Sequence, residues 1–374
     1  MEVTRITMLV TATYKYERDV VRGIIRYSFP ARRWLFVEAN NPWVYEQFDI
    51  RGALTYLNRP RDLDLLRLQK IPIVDTGNTL ADAADLPRVA PDDRAIGALA
   101  AAYFLERQYE HFVFAVQSNT VYSNIREQAF TEAVEAAGYR VHRFFFPNVT
   151  GIHYDKWVND WLRELPKPVA IFGADDRVIR HVSDMCAIAD VNVPQEAALL
   201  GVTNDEVTCT QSFVPISSIA LPGERIGFEA ARLLDSLMRG KPAPSSPILL
   251  PPTGVVTRAS SDVHAISDRE IVAAMRYIHE NADQPIDVED VADAVMLSRR
   301  SLQARFRRAL GRTVMHEIEH ARLERAKQML AQTDLHAPEI ASTSGFATEL
   351  QMYRAFQRRL GSTPGEYRKR YRFR

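Results

Sequence analysis

Between Ser298 and Gly311, Arg299, Arg300, Gln303, Arg307 and Arg308 stand outside an apolar stripe formed by Leu302, Phe306, Ala309 and Leu310. Guanidinium forks and a carboxamide are donors suited to phosphate oxygens and to the hydrogen-bonding edges of guanine and adenine. The stripe recurs at helical spacing and marks the face to be buried. Ser298 is placed to cap the helix by accepting from backbone N–H groups, and Gly311 to stop it. Upstream, Val288–Val295 reads as a short helix, with Ala292 small enough to let a second helix cross closely. A short helix, a tight turn and a basic second helix make a helix-turn-helix. The plainer reading of the same stretch is a basic amphipathic surface helix.

A second copy follows. Pro338–Phe346 repeats the short helix, with Ala341 at the crossing and Gly345 in the turn. Thr348-Glu349-Leu350-Gln351 has the form of a capping box and opens a helix through Met352, Tyr353, Arg354, Phe356, Arg358 and Leu360, ended by Gly361. One long amphipathic helix, about Val314 to Thr333, joins the copies. Residues 268–374, with Gly345-Phe346, Phe356 and Gly361-Ser362-Thr363-Pro364-Gly365-Glu366-Tyr367-Arg368, resemble the AraC/XylS-type DNA-binding domain. That resemblance implies an all-α domain with two helix-turn-helix motifs that binds a double-stranded DNA operator. It places Ser298, Arg299, Arg300, Gln303, Ala304, Arg307 and Arg308 of the first unit at the DNA, and Thr348, Glu349, Leu350, Tyr353 and Arg354 of the second. Such domains carry Gly in the first turn, where this chain has Met296, so a remodelled turn is expected there.

Charge follows the same division. The formal net charge is zero, but from Arg299 to Arg374 there are 17 Lys and Arg against 7 Asp and Glu, leaving 30 against 40 elsewhere. A basic tail on an acidic body is the footprint of a nucleic-acid reader carried by a different module. The two cysteines, Cys186 and Cys209, are too few for a disulfide framework and are not spaced as metal ligands. Neither a signal-peptide core nor a run of ~18 apolar residues appears, so the expectation is a cytoplasmic protein with no membrane partner.

From Ile6 to Leu221, short apolar runs alternate with helical patterns: Ile6–Val10, Trp34–Glu38, Gly52–Leu57, Ile71–Asp75, Phe112–Val116, Val141–Phe145, Val169–Phe172, Ala198–Val202 and Ser217–Leu221 are the strands. Such alternation implies parallel sheets with helices on both faces and a ligand beyond the carboxyl ends of the strands. The run is long enough for two sheets, with a crossing expected near Ser118. Asp93–Leu105, Gly201-Val202-Thr203-Asn204-Asp205-Glu206, Ser217-Ser218-Ile219, Glu224–Leu234 and Pro251–Arg258 resemble the LacI/GalR-type effector domain, which is related to periplasmic sugar-binding proteins. The expected architecture is thus an α/β two-lobed periplasmic-binding-protein-like domain over 1–258, a linker over 259–267, and the all-α reader over 268–374. That unusual order resembles the xylose-operon-regulator family, over nearly the entire chain.

In the first βα loop, Thr13, Tyr14, Lys15 and Tyr16 offer an aromatic platform for a sugar ring, or ordinary loop contacts. Asp175 is placed either to accept from ligand hydroxyls or to cap a helix. The LacI/GalR resemblance puts a hydroxyl-clamping arginine at Arg126, whose fork can donate to two adjacent hydroxyls; the plain alternative is a solvated arginine. It also implies an acidic residue where this chain has Thr203, a departure from a xylose site, with Asn204 or Asp205 as substitutes. Catalysis is disfavoured: Asp175, Asp176 and His181 do not share a helix face, and no Gly-rich phosphate loop or nucleophile pattern appears. No cofactor is expected. The reading is a ligand-responsive transcription regulator, a homodimer with a sugar or polyol effector and a contact to RNA polymerase. The alternative is a sugar sensor whose output is a protein partner.

Overall fold

The computed structural model describes residues 3–29, 34–37, 48–146, 152–262 and 268–371. The first lobe holds β1 (Thr4–Leu9), α1 (Lys15–Ser28), β2 (Trp34–Val37), β3 (Ile50–Thr55), α2 (Pro60–Leu68) and β4 (Ile73–Asp75), with the parallel strand order β2-β1-β3-β4. β5 (Val89–Pro91) follows. Ile6, Leu54 and Val74 bury one face of this sheet against Val20 and Ile24 of α1, and Ala53 joins Leu63 and Leu66 of α2 on the other. Both faces are covered, which is why these strands read as apolar runs instead of alternating ones.

The chain enters the second lobe between β5 and α3 (Asp93–Glu106), not near Ser118 as expected. The reason is pairing: β6 (His111–Val116) already lies in the second sheet beside β8 (Val169–Gly173), so the passage must precede it. α4 (Val121–Ala136), β7 (Val141–Phe145), α5 (Ile152–Glu164), α6 (Asp176–Ile188), β9 (Ala197–Thr203), α7 (Glu206–Thr210) and β10 (Ser217–Ala220) complete this lobe. The chain then returns through α8 (Gly223–Met238), which packs on α1, and β11 (Ile248–Leu250), which pairs with β5. It crosses a third time at Pro251–Thr253 into β12 (Gly254–Val256). The second sheet runs β12-β10-β9-β8-β6-β7, all parallel except the β10–β12 pair. β5, β11 and β12 are three residues each, too short for a periodic signal.

The expected linker begins inside the second lobe. Ser260 Oγ donates to Leu199 O at 2.7 Å and accepts from Ser217 N at 2.9 Å, and Ser261 Oγ lies 2.7 Å from Tyr103 Oη. Residues 263–267 lie outside the described residues.

The C-terminal region is helical: α9 (Arg269–Glu280), α10 (Val288–Ala294), α11 (Arg299–Leu310), α12 (Val314–Gln332), α13 (Ala337–Thr343), α14 (Glu349–Leu360) and α15 (Pro364–Tyr371). It has two small cores strung on α12. Val314, Ile318 and Ala321 complete one with Ile278, Val291, Leu302 and Phe306; Leu323, Ala326 and Leu330 complete the other with Ile340, Phe346, Phe356 and Tyr367. The turn at Met296 is not remodelled. Met296 adopts φ +55°, the left-handed conformation that Gly345 (φ +87°) takes in the second unit, with its side chain 94 % exposed.

Candidate functional site

The first βα turn, the start of α3 and α4, and the ends of β8 and β9 converge on one cavity between the lobes, where strand ends of an open α/β sheet place a ligand. Arg126 sits on its floor, 4 % exposed. Its Nε donates to Asp93 Oδ1 at 2.9 Å and its Nη1 to Ala174 O at 2.7 Å, and its guanidinium lies 4.7 Å from the centre of the Tyr122 ring. Burial raises the Asp93 carboxyl, and Arg126 opposes that shift. Tyr14, Tyr16, Tyr56 and Tyr122 line the walls, with the Tyr16 and Tyr56 rings 5.7 Å apart. Burial pushes the Tyr16, Tyr56 and Tyr122 hydroxyls upward, so they stay protonated phenols; the Tyr16 hydroxyl donates to Thr76 O, which leaves it an acceptor toward the cavity.

Asp176, 2 % exposed, organises the far wall. It accepts from Thr203 Oγ1 at 2.8 Å, Asp205 N at 2.8 Å and Ser218 Oγ at 2.5 Å. Its pKa is raised to about 7 by burial, against the pull of those three donors. They hold Thr203 (φ +110°) and Asn204 (φ +51°) in strained left-handed backbone. Several contacts span the cleft, among them Tyr122 N donating to Asn78 O at 2.7 Å and Asn78 Nδ2 donating to Asp93 Oδ2 at 3.3 Å. Asp205 Oδ2 accepts from Lys15 N at 2.9 Å and from Arg18 Nη2 at 3.3 Å. Arg177 donates to Tyr14 Oη at 3.1 Å with its guanidinium 4.5 Å from that ring's centre.

Of the sequence-predicted ligand residues, Tyr14, Tyr16, Arg126, Asp175 and Thr203 line the cavity. Asp175 lines the cavity and also caps α6, accepting from Arg177 N, Val178 N and Arg177 Nη2 at 2.9, 3.1 and 2.8 Å. Thr13, Lys15 and Asn204 do not line it. Thr13 turns back on α1, its N–H donating to Glu17 and its carbonyl accepting from Arg18. The Lys15 ammonium pairs with Asp19, and Asn204 Oδ1 accepts from Arg258 Nη2 at 2.7 Å. Asp205, named beside Thr203 as a substitute acid, lines the cavity too; Asp93, Tyr122, Asp176 and Arg177 also line it and were missed, although each lies in the first turn of a helix at a lobe crossing or strand end, the position that could have flagged them.

In the helical region, Ser298 caps α11 by accepting from Ser301 N at 3.2 Å, and Thr348 caps α14 by accepting from Gln351 N at 3.2 Å. Only this half of the expected capping box at Thr348 is formed. Leu302, Phe306 and Leu310 are buried, leaving Arg300, Gln303, Ala304, Arg307 and Arg308 exposed on one helix. Arg299 pairs with Glu289 at 2.5 Å, while Arg305 turns inward to Asp268 Oδ2 at 2.8 Å and Glu270 Oε2 at 2.8 Å. On α14, Glu349, Leu350, Tyr353 and Arg354 are exposed and Met352, Ala355 and Phe356 are buried. The two helices each leave a polar face open, as the apolar spacing required.

Comparison with known proteins gives both halves a context. Residues 101–261 match the family described as periplasmic binding protein-like domain, and residues 291–370 a helix-turn-helix domain. The chain is 29 % identical to the xylose operon regulatory protein of Haemophilus influenzae, covering 97 % of this chain and 98 % of that one. It is likewise 29 % identical to that of Escherichia coli K12, covering 97 % and 96 %. The solved structure of a xylose-binding transcription activator, xylR, covers 100 % of both chains with a TM-score of 0.64 and 28 % identity. The regulator CcpA of Lactococcus lactis (TM-score 0.58, 16 % identity, 70 % of this chain and all of that one) shares the fold of the two lobes. No described helix is long and apolar enough to cross a membrane. The chain is a XylR-like, AraC-type transcription regulator and not an enzyme, its helix-turn-helix region preceded by a two-lobed periplasmic-binding-protein-like sensor domain.

Proposed function

We propose that a neutral pentose or polyol, xylose or a close relative, closes the two lobes on itself, and that closure changes how α11 and α14 are presented to an operator controlling genes for its breakdown. The observation that carries this reading is Arg126, bedded between Asp93, Ala174 O and the Tyr122 ring on the floor of an interlobe cavity walled by phenols. Protonated phenols and carboxylates complement uncharged hydroxyls, and the acidic residues present disfavour a uronate. Tyr14, Tyr16, Asp175 and Thr203 are assigned to the ligand with Arg126; Arg300, Gln303, Ala304, Glu349, Leu350, Tyr353 and Arg354 face bases, and Ser298, Arg299, Arg307, Arg308 and Thr348 serve the phosphates. The working unit is a cytoplasmic homodimer, its domain boundary near 262–268, with a contact to RNA polymerase.

The experiment is a thermal-shift panel of D-xylose, L-arabinose, D-ribose, xylitol, D-glucose and D-glucuronate, since a ligand bound by the native state alone raises apparent stability. Selection from a randomised duplex pool accompanies it. A neutral member raises Tm, and the duplexes recovered share paired half-sites. Glucuronate alone raising Tm would overturn the effector class, and no enrichment of duplexes would favour the alternative output to a protein partner.

A further inference from the structure

Helix α3 has one end at the interlobe cavity and the other against the helical region. Asp93, in its first turn, takes Arg126 Nε on the cavity floor. Glu106, its last residue, takes Arg312 Nη1 at 3.1 Å and lies 3.7 Å from His320 Nε2, both in the helical region. At about 1.5 Å per residue the 14-residue helix spans roughly 20 Å. It is held tightly along that length: a Cβ at Gly97 would stand 2.3 Å from Arg126 O, so the backbone bearing the clamp rests on α3. A shift of Arg126 cannot be absorbed there by a soft gap.

At the far end, Arg312 follows the Gly311 stop of α11 and sits on a buried charge. Its Nε lies 2.6 Å from Glu317 Oε2, an ion pair too bent to be a hydrogen bond. Glu317 Oε1 in turn lies 2.9 Å from His279 Nε2. Burial would raise the Glu317 carboxyl, but His279 with Arg312 and His320 holds it well below the usual range. Arg312 therefore ties the first reading helix, α9 and α12 to one point. The helical region rests on the sensor at a second place, the third interlobe crossing, where Gln328 Nε2 donates to Val255 O at 3.1 Å and Tyr367 Oη to Thr253 O at 3.3 Å.

We propose that the end of α3 is the docking surface for the reader domain, and that α3 carries the state of the interlobe cavity to Arg312 through Glu106. This rests on the effector reading above. Spatial continuity alone does not make coupling, so the test perturbs one end and reads the other. Full-length wild type, Glu106→Gln and Glu106→Lys are compared by hydrogen exchange, without ligand and with D-xylose or whichever panel sugar raised Tm. Expected in wild type is a severalfold change in exchange over residues 312–320 on sugar binding. In Glu106→Gln that response is lost while sugar affinity by calorimetry stays within about twofold, and Glu106→Lys loosens 312–320 further by repelling Arg312. A response retained in both variants overturns the proposal. If no panel sugar binds, the effector reading fails separately and the ligand-free arm decides: Glu106→Lys must raise exchange at 93–97 as well as 312–320, and unchanged protection at 93–97 overturns it.

Discussion

The Thr203 hydroxyl donates to Asp176 Oδ2 at 2.8 Å, so an acidic group lies one layer behind the position where the LacI/GalR resemblance implies one. An aspartate at 203 would face the Asp176 carboxylate directly, and two like charges so close cannot both ionise. Thr203 with Asp176 offers the ligand a hydroxyl whose proton is already committed, leaving an acceptor lone pair toward the cavity. The cavity wall at this position thus keeps an acid, Asp176, behind the Thr203 hydroxyl.

The Asp176 carboxyl, raised to about 7, makes stability depend on pH. An acid whose folded pKa exceeds its unfolded value, 3.8 here, keeps its proton in the native state after the unfolded chain has released it. Native stability is thus highest below pH 4 as far as this group is concerned, and falls as pH rises from about 4 to 7 by roughly a few kcal/mol at most. Denaturant unfolding between pH 5 and 8 should show this slope, and Asp176→Asn should flatten it; an unaltered slope in that variant removes Asp176 as its source.

Arg126→Ala should weaken effector binding about ten- to hundredfold, since a hydrogen bond to a charged group contributes roughly 1.5–3 kcal/mol net. It also leaves Asp93, 3 % exposed, without its cation, so the lone carboxylate must protonate or unfold its surroundings. Arg126→Ala with Asp93→Asn separates the two effects: the double variant recovers Tm and not affinity. Recovery of affinity would take Arg126 out of the site.

Arg300→Ala should cost roughly 1–3 kcal/mol at one base pair and relax specificity there, whereas Arg307→Ala or Arg308→Ala should lower affinity for all duplexes alike. Binding to the selected duplex and its point variants in fixed salt distinguishes the two patterns. Unchanged discrimination by Arg300→Ala would take α11 out of the major groove.

Met296→Gly should stabilise the reader by up to about 1 kcal/mol, because a non-glycine residue at φ +55° is strained and its exposed side chain contributes little packing. A lower Tm in the variant would mean that the Met296 side chain has a contact partner in the assembled protein.

Residues 268–374 should fold as an isolated fragment and bind duplex DNA weakly, with affinity falling steeply as salt rises. Both of its cores close on its own helices, and Glu106, Thr253 and Val255 touch it only at the rim. Circular dichroism and a salt titration test this, and an unfolded fragment would place the true boundary inside the sensor.

Sequence alone determined the elements whose signal is local. The apolar spacing of Leu302, Phe306 and Leu310, the caps at Ser298 and Thr348 and the stops at Gly311 and Gly361 fix which side of α11 and α14 faces out, because helix period and capping depend on neighbours a few residues away. Tertiary structure decided what depends on distant partners. That Thr203 rests on Asp176, and that Asp93, Tyr122, Asp175 and Asp176 share a cavity with Arg126, follow from strand pairing and from three interlobe crossings that bring separated segments together. The first crossing was misplaced for the same reason: β5 is three residues long, and only its pairing with β11 shows where the first lobe ends. The docking of Glu106 on Arg312 joins residues far apart in the chain, a contact that no local pattern encodes.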